Sequence, residues 1–300
     1  MNNTSNPLVE IVIVNYNGYD DTVECIKSLK QIKYNNYFIV VFDNGSITEN
    51  HEEDIDYLKS NSHYIYSKVN RGFSGGNNQA IIETLGFKPD YYLLLNNDTV
   101  VKENFLDILV ESANNNQNAG IICGKINYYY DKEYLWFAGG TFNPITCSTR
   151  HVGIDQKDCD FSSAEIEIDF ATGCMWLIPN IVIETVGMLD DEYFLYCEDT
   201  DFCIRVRNKG YLIIYCNAAN IYHKVSRSSG ASSSNTQYYI TRNELYIIKK
   251  YSTNKLIAYP VKIFRFIMDI IKGRKEASIV WEAIIDFITN EKGARKTSTR

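Results

Sequence analysis

The chain has 300 residues, of which 45% are hydrophobic, so it can bury a substantial core in one large domain or in one domain with an appendage. Its formal net charge is −7 at pH 7, and its isoelectric point is near 5.2. Proteins that bind nucleic acid generally carry a dominant basic surface, so this charge balance argues against nucleic acid as a partner.

The cysteines and the N-terminal residues indicate a cytoplasmic protein. The eight cysteines form no Cys-x-x-Cys motif, so we expect buried free thiols rather than a zinc ribbon or a dithiol redox centre. The polar segment 1–7 lacks the features of a signal peptide, and no apolar run is long enough to span a membrane.

Strand and helix patterns alternate at the start of the chain. Residues 8–14 and 37–42 are runs of β-branched and apolar residues that predict central strands, and 19–32 has helical apolar spacing between them. Each strand ends in a polar tip, Asn15-Tyr16-Asn17-Gly18 and Asp43-Asn44-Gly45-Ser46. The pattern predicts the nucleotide-binding half of a doubly wound α/β fold.

A glycine-rich segment, 70–78, follows a short strand predicted at 64–67 and opens a helix that should run to about Leu85. Its three glycines allow close backbone approach, and a helix N-terminus offers free N–H groups to a diphosphate. The spacing matches neither a Walker loop nor a dinucleotide fingerprint. An ordinary glycine turn is the alternative interpretation.

The run 91–95, Tyr-Tyr-Leu-Leu-Leu, predicts a strand buried on both faces that ends at Asn96-Asn97-Asp98. Ligands of open α/β sheets collect outside the carboxyl ends of the strands, so Asp98 is placed to handle a metal or a phosphate. Taken alone, the tip is equally explained as a turn that caps a helix starting near Val101.

Three acids open a later helix. Residues 128–170 predict irregular or antiparallel segments, before the helix that carries Glu198, Asp199 and Asp201 in its first turn. These acids either only stabilise the helix dipole or include a general base that points into a cleft. We expect Asp201 to cap the helix or to pair with a neighbouring arginine.

A histidine ends the last strand pattern of the chain. His223 precedes a stretch rich in serine that contains Lys224 and Arg227. The histidine is a candidate metal ligand and the two cations a candidate anion clamp, although a lone histidine is more often structural.

Two amphipathic helices are predicted between 257 and 287. The first is rich in cations among Ile, Phe and Met. This composition suits a membrane surface, and packing against the main domain needs the same apolar stripe. We predict a catalytic domain over 1–253, a helical extension over 254–300, and a mobile tail from Glu291.

Read together, these motifs resemble the inverting family 2 glycosyltransferases with a glycosyltransferase-A (GT-A) fold, and most of all their rhamnosyltransferase branch. The resemblance covers about 8–251. It implies a Rossmann-like domain with a mostly parallel central sheet flanked by helices, followed by the C-terminal helical extension. It also implies a nucleotide-sugar donor, dTDP-rhamnose or a UDP-sugar, and a glycan or lipid-linked acceptor. The product would be a surface polysaccharide such as capsule or O-antigen, built at the inner face of the cytoplasmic membrane.

The resemblance also assigns donor-binding residues. Asp43 would accept a hydrogen bond from the pyrimidine ring of the donor, and the glycine segment would lie beside its ribose and diphosphate. The other donor-binding candidates are Asn15, Asn17, Asn70, Arg71, Gly72, Gly75, Asn78, Asn97, Lys224 and Arg227.

The metal and the base are assigned in the same way. The tip that ends at Asp98 resembles the Asp-x-Asp metal motif with its first acid replaced by Asn. Asp98 and His223 would therefore be the side-chain ligands of Mg²⁺ or Mn²⁺, and binding without nucleotide should be weak. Asp199 resembles the general base and Glu198 a neighbour that positions sugar hydroxyls. Arg242-Asn243 resembles a recurrent pair without an assigned role.

Three other functions share some of these features. A nucleotidyltransferase should carry a glycine-rich loop with Arg or Lys directly after the first strand, where this chain has Asn15-Tyr16-Asn17-Gly18. A processive polysaccharide synthase should show a Gln-x-x-Arg-Trp motif and membrane spans, and this chain has neither. A non-catalytic nucleotide-sugar or glycan binding module stays open, and it predicts that Asp199→Asn alters affinity only.

Overall fold

A computed structural model describes residues 6–158, 165–225 and 233–296, and within these ranges the chain forms twelve strands and nine α-helices. The strands are β1 (Val9–Asn15), β2 (Tyr37–Asn44), β3 (His63–Ser67), β4 (Tyr91–Leu95), β5 (Thr99–Val101), β6 (Ala119–Tyr128), β7 (Leu135–Phe137), β8 (Gly140–Asn143), β9 (Ser148–His151), β10 (Ile166–Glu167), β11 (Met175–Pro179) and β12 (Leu212–His223). The helices are α1 (Tyr19–Leu29), α2 (Glu52–Asn61), α3 (Gly72–Thr84), α4 (Phe105–Asn115), α5 (Asn180–Val186), α6 (Glu198–Asn208), α7 (Ser234–Tyr251), α8 (Lys255–Ile271) and α9 (Ala277–Ile288).

Ten of the strands form one mixed sheet in the order β10-β12-β6-β11-β4-β1-β2-β3, with β5 paired to β12 and β7 to β6. The half β4-β1-β2-β3 is parallel, as the alternating strand and helix patterns predict. In the other half β11 runs antiparallel to both of its neighbours, while β12 is parallel to β6. The predicted α/β class with flanking helices is confirmed, although only the N-terminal half of the sheet is parallel throughout.

Continuous apolar runs explain why β1 and β4 lie at the centre of the sheet. Ile11, Val12 and Ile13 are fully buried, as is Leu93 of β4, because helices cover both faces of the sheet. The parallel register aligns the carboxyl ends of the central strands. Their polar tips therefore meet at one edge.

The turn after β4 joins two strands and does not cap a helix. Residues 99–101, Thr-Val-Val, form β5, which pairs antiparallel with β12 and sets Thr99 opposite His223. The helix predicted to begin near Val101 starts instead at Phe105. β-Branched residues favour strands when a partner is available, and here the partner is more than a hundred residues away.

The C-terminal helices pack against the rest of the protein. Leu245 of α7, Phe266 of α8 and Val280 of α9 form one buried cluster. Lys262 is 1% exposed and its ammonium lies 2.9 Å from a carboxylate oxygen of Glu244. A domain boundary near 253 stays a prediction.

The predicted mobile tail is wrong for residues 291–296. The Gly293 amide donates to the Glu192 carbonyl at 2.7 Å. The Arg295 guanidinium donates to both carboxylate oxygens of Glu282, at 2.8 and 2.5 Å. These contacts join residues far apart in the chain, so local composition gave no sign of them.

Two sequence expectations about the whole chain are met among the described residues. All seven described cysteines are free thiols, and six of them are buried; Cys159 lies outside the described ranges. None of the described helices has the length and apolar character needed to cross a membrane.

Candidate active site

Asp98 and His223 face each other at the carboxyl edge of the sheet. Asp98 Oδ1 lies 3.0 Å from His223 Nε2, and the imidazole is 5% exposed. The pairing of β5 with β12 produces this contact, because it places the residue after Asp98 opposite His223. Burial raises the pKa of Asp98, but the hydrogen bond and charge of His223 outweigh burial and hold the pKa below its usual value.

This pair fits a divalent cation that also takes ligands from another molecule. One carboxylate oxygen and one imidazole nitrogen that lie 3.0 Å apart are ligands that Mn²⁺ accepts and Mg²⁺ tolerates. No third acid, histidine or cysteine completes a metal cluster within the part of the chain that the structure describes. Tight binding at about six-fold coordination therefore needs oxygens from a substrate or from water.

A cleft of about 550 Å³ lies beside Asp98. One wall comes from the ends of β1, β2 and β4 and from the glycine segment, and the other from residues before α6, from α7 and from the tail. Its lining includes Tyr16, Asn70, Gly72, Phe73, Asn97, Phe194, Leu195, Asn235, Tyr239 and Arg295. The cleft is large enough for a small charged substrate.

The first turn of α6 carries two adjacent acids, Glu198 and Asp199, whose pKa values are both raised. Asp199 Oδ1 accepts a hydrogen bond from the Thr200 amide at 2.7 Å. Burial raises the pKa of Asp199 to about 6, although hydrogen bonds from Thr200 and from the Gly173 amide oppose the rise. Burial and then the charge of Asp199 raise the pKa of Glu198 well above its usual value. At neutral pH Asp199 is therefore the ionised partner and can accept a proton.

Gly173 connects the acids of α6 to the metal pair. A Cβ atom at Gly173 would lie 3.6 Å from Asp199 Cβ and 3.5 Å from the ring of Phe73, which lines the cleft. The next residue accepts a hydrogen bond at 3.0 Å from the amide of Asn96, two residues before Asp98. One short segment, Gly173-Cys174, therefore contacts both Asp199 and the strand tip that ends at Asp98. Asp199 itself is not among the residues that line the cleft.

The family of this chain follows from its match to a family model. A family model described as glycosyl transferase family 2 matches residues 10–186, more than half of the chain. This chain belongs to glycosyltransferase family 2. It is therefore a transferase, which confirms the predicted enzyme class.

Curated relatives of this transferase are themselves glycosyltransferases. It is 26% identical over 238 residues to the low-salt glycan biosynthesis hexosyltransferase Agl10 of Haloferax volcanii, covering 77% of this chain and 72% of the relative. It is 24% identical to the dTDP-rhamnosyl transferase RfbF of Shigella flexneri, covering 87% of each chain. These likenesses support the rhamnosyltransferase-like branch.

Solved structures confirm the GT-A fold. GalNAc-T7 with UDP, GalNAc and Mn²⁺ superposes with a TM-score of 0.58 at 14% identity. The mannosyltransferase PcManGT of Pyrobaculum calidifontis, in complex with GDP-Man and Mn²⁺, gives 0.56 at 12% identity. The matches cover 78% and 82% of this chain but only 48% and 64% of the two solved chains.

Three predicted donor residues line the cleft of the transferase: Asn70, Gly72 and Asn97. Asn70 Oδ1 accepts the Gly72 amide at 2.8 Å, and Asn97 Nδ2 donates to Thr22 Oγ1 at 3.0 Å. Both side chains are held in place by the protein. Their roles toward a donor stay predictions.

Two predicted donor residues are used inside the fold instead. Asp43 is fully buried, and its Oδ2 accepts from the hydroxyls of Tyr19 at 2.5 Å and Tyr64 at 2.6 Å. Asn15 is also fully buried, and its Oδ1 accepts from Thr22 Oγ1 at 2.9 Å. The direct base contact predicted for Asp43 does not fit this geometry, because its carboxylate is already occupied.

Other predicted donor residues hold loops in place. Asn78 exchanges hydrogen bonds with the backbone of Leu189, at 2.8 and 3.1 Å, which ties α3 to the segment before α6. Asn17 Oδ1 accepts the Ile47 amide at 2.8 Å. Gly75 packs closely on the side chain of an exposed arginine, Arg71. The lining of the cleft does not include Asn17, Arg71, Gly75 or Asn78.

Lys224, which is predicted to clamp an anion, is paired with two acids of α1 in this structure. Its ammonium lies 2.5 Å from Asp21 Oδ1 and 2.6 Å from Glu24 Oε2, so two carboxylates already balance its charge. The second predicted cation of the clamp, Arg227, lies outside the described residues.

Some cleft residues had no signal in the sequence. Asn235, Tyr239 and Arg295 line the cleft from α7 and the tail. None belongs to a motif that sequence reasoning could recognise. Their placement depends on how the C-terminal helices fold back.

Gly72 is expected to be essential for folding of the cleft wall. Its φ is +73°, and a Cβ atom there would lie 2.1 Å from the carbonyl oxygen of Phe194. Gly72→Ala should lower the free energy of unfolding by at least about 2 kcal/mol, measured by urea denaturation. Gly86→Ala is the matched control, since nothing lies within 4 Å of a Cβ there, and it should change stability by less than about 0.5 kcal/mol. Equal stability of the two variants would contradict the geometry at Gly72.

Proposed function

We propose that this transferase moves a sugar from a nucleotide-sugar donor, dTDP-rhamnose or a UDP-sugar, to a glycan or lipid-linked acceptor in surface polysaccharide biosynthesis. The observation that carries the proposal is that one short segment, Gly173-Cys174, contacts both Asp199 and the strand tip that ends at Asp98. The name of the Shigella flexneri relative supports a dTDP-rhamnose donor, and the nucleotides and Mn²⁺ of the two solved structures support metal dependence.

Asp98 and His223 would act on the leaving group of the reaction. They would hold a Mg²⁺ or Mn²⁺ ion, which supplies positive charge against the negative charge that develops on the departing diphosphate. Asn97 precedes Asp98 in the chain and lines the same cleft, where it would face the donor diphosphate.

The acceptor side falls to Asp199. As the acceptor hydroxyl attacks the anomeric carbon, its proton passes to the Asp199 carboxylate, and the bond from carbon to the diphosphate oxygen breaks. Glu198 beside it, whose pKa burial raises well above its usual value, would position sugar hydroxyls. Attack from the face opposite the leaving group inverts the anomeric configuration in one displacement, with no covalent intermediate.

A panel of donors tests this function. The purified chain is incubated with dTDP-, UDP- and GDP-sugars and Mn²⁺ or Mg²⁺, and release of the nucleoside diphosphate is followed with and without EDTA. Metal-dependent release from one donor supports the proposal. Binding of a donor without any release, in the presence of glycan acceptors, would favour the alternative of a binding module without catalysis.

The C-terminal helices support a location at the membrane surface. α8 buries Ala258, Lys262 and Phe266 against the protein, yet its opposite face is also apolar and is exposed. A helix that is apolar all round needs cover on both sides. The exposed apolar residues of α8 and α9 include Leu256, Val261, Phe264, Ile271, Trp281, Ile285 and Ile288.

Cations beside this face favour a lipid bilayer with anionic headgroups as its cover. The side chains of Arg265 and Arg274 are 59% and 68% exposed. Basic residues next to an apolar helix face attract anionic lipid while the apolar residues enter the acyl boundary. Peripheral binding here would bring the cleft close to a lipid-linked acceptor at the cytoplasmic face.

Phe264→Glu is expected to weaken binding to anionic vesicles at least about tenfold, because it removes one buried aromatic side chain and adds a repelled charge. Co-sedimentation with vesicles of phosphatidylglycerol and phosphatidylcholine measures it. Ile181→Glu is the matched control, since Ile181 is a 52% exposed apolar residue on α5. Membrane docking by this face is overturned if Phe264→Glu sediments with the vesicles as the wild type does. It is also overturned if the wild type is a dimer that this substitution dissociates.

A further inference from the structure

The segment just before the proposed base has an unfavourable backbone. Residues 193–197, which we call the base loop, end one residue before Glu198. Three of its residues are not glycine yet have positive φ: Phe194 at 64°, Tyr196 at 65° and Cys197 at 69°. Such conformations are unfavourable for residues with a Cβ atom and persist only where the surroundings over-determine them.

A buried pair on α7 supplies those surroundings. Asn243 Nδ2 lies within hydrogen-bond distance of three carbonyl oxygens of the base loop, those of Tyr193 at 3.0 Å, Leu195 at 2.9 Å and Tyr196 at 2.8 Å. Its two hydrogens are shared among these three acceptors. Arg242 Nη2 donates to the same Tyr193 carbonyl at 3.2 Å. Both side chains are fully buried, so their N–H groups would have no alternative acceptor in water if the base loop moved away.

Arg242 also orients its neighbour and holds the tail. Its Nε donates to Asn243 Oδ1 at 3.0 Å, which turns the amide NH₂ toward the base loop. Its Nη1 donates to the Gly293 carbonyl at 2.9 Å, and the guanidinium lies 5.2 Å from the ring centroids of Tyr238 and Tyr239. One buried arginine thus joins α7, the base loop and the cleft-lining part of the tail.

The base loop touches both substrate sides of the site. The Phe194 carbonyl accepts the Phe73 amide at 2.7 Å, in the glycine segment on the donor side. Phe194 and Leu195 line the cleft, and Asp199 follows in the first turn of α6. A shift of the base loop would therefore move the acid relative to the cleft.

We propose that Arg242 and Asn243 are positioning residues that hold the base loop in its strained conformation and thereby fix the Asp199 carboxylate beside Gly173. Neither residue lines the cleft itself. The role of Asp199 as base rests on the function proposed above, while the hydrogen bonds to the base loop do not. The pair acts on the transfer step through the backbone that precedes the base.

Steady-state kinetics of Asn243→Ser and Arg242→Lys test this role, with Asp199→Asn assayed beside them. We expect kcat to fall at least about tenfold while the KM for donor changes less than about threefold, since a base misplaced by about 1 Å loses rate rather than ground-state binding. The acidic limb of kcat should also move to lower pH, because a loosened loop admits water to Asp199. Circular dichroism and urea denaturation identify the folded fraction of each variant.

Tyr246→Phe is the matched control. It removes a hydrogen bond from the same helix to the tail, that of Tyr246 to the Glu291 carbonyl at 3.0 Å, and it keeps the ring that packs in one cluster with Tyr193. It should keep kcat and the pH profile of the wild type. If Asn243→Ser is folded and keeps wild-type kcat per folded molecule and the wild-type pH profile, the positioning role is wrong. If Asp199→Asn keeps wild-type kcat, the proposed function fails instead.

Discussion

Replacing Asp199 by Asn is expected to lower kcat by about 10²–10⁴-fold and to leave donor affinity within about threefold of wild type. Asn has nearly the same shape but cannot take the proton of the acceptor hydroxyl. The measurement is nucleoside diphosphate release at saturating acceptor, with donor affinity from calorimetry. Asp56→Asn is the matched control, because that side chain is 80% exposed on α2. A binding module without catalysis would instead show an altered donor affinity in the variant and no turnover in either protein.

The pH dependence of the same step follows from burial. Because the pKa of Asp199 is about 6, kcat should rise through an acidic limb near pH 6, which the Asn variant lacks. The pKa in the folded protein lies above the ordinary value of 3.8, so the ionised form destabilises the fold above pH 6, and this effect vanishes below pH 3.8. Asp199→Asn should therefore gain stability relative to wild type as the pH rises between these values. A variant that is less stable at pH 7 would contradict the burial argument.

Replacing Asp98 by Ala is expected to remove metal-dependent donor binding and to lower kcat/KM by at least about 10³-fold. The reason is that a divalent ion contributes several kcal/mol to stabilising a developing phosphate charge. His223→Ala should give a similar loss, since it provides the other ligand 3.0 Å away. Donor titrations with Mn²⁺ and with EDTA measure both variants.

His63→Ala is the control for the histidine substitution, because His63 is exposed on β3. It should bind donor and metal as the wild type does. Equal donor affinity with and without Mn²⁺ in the wild type would show that Asp98 and His223 form an ion pair of the fold and nothing more.

The parallel half of the sheet was predictable because each of its strands has a recognisable pattern in its own residues. β4 is a continuous apolar run that ends at a polar tip, and doubly buried parallel strands have this pattern. The pair of Asp201 with an arginine was predictable too, since Arg205 Nε lies one helical turn away at 2.7 Å.

The errors arise where long-range contacts decide. Three residues, Thr99–Val101, are too few to show a strand pattern, and only pairing with β12 reveals β5. Lys224 looked free for an anion because its partner Asp21 lies 203 positions away. The tail looked mobile because the contact of Gly293 with Arg242 spans 51 positions. Local sequence carries no signal for such contacts.

The anomeric configuration of the product tests the central claim most directly. The donor that the panel identifies is transferred to its acceptor, and the anomeric proton of the product is examined by proton nuclear magnetic resonance before mutarotation or hydrolysis. A single displacement with Asp199 as base predicts a configuration opposite to that of the donor. A retained configuration, or a sugar trapped covalently on the enzyme, would contradict that account of the site.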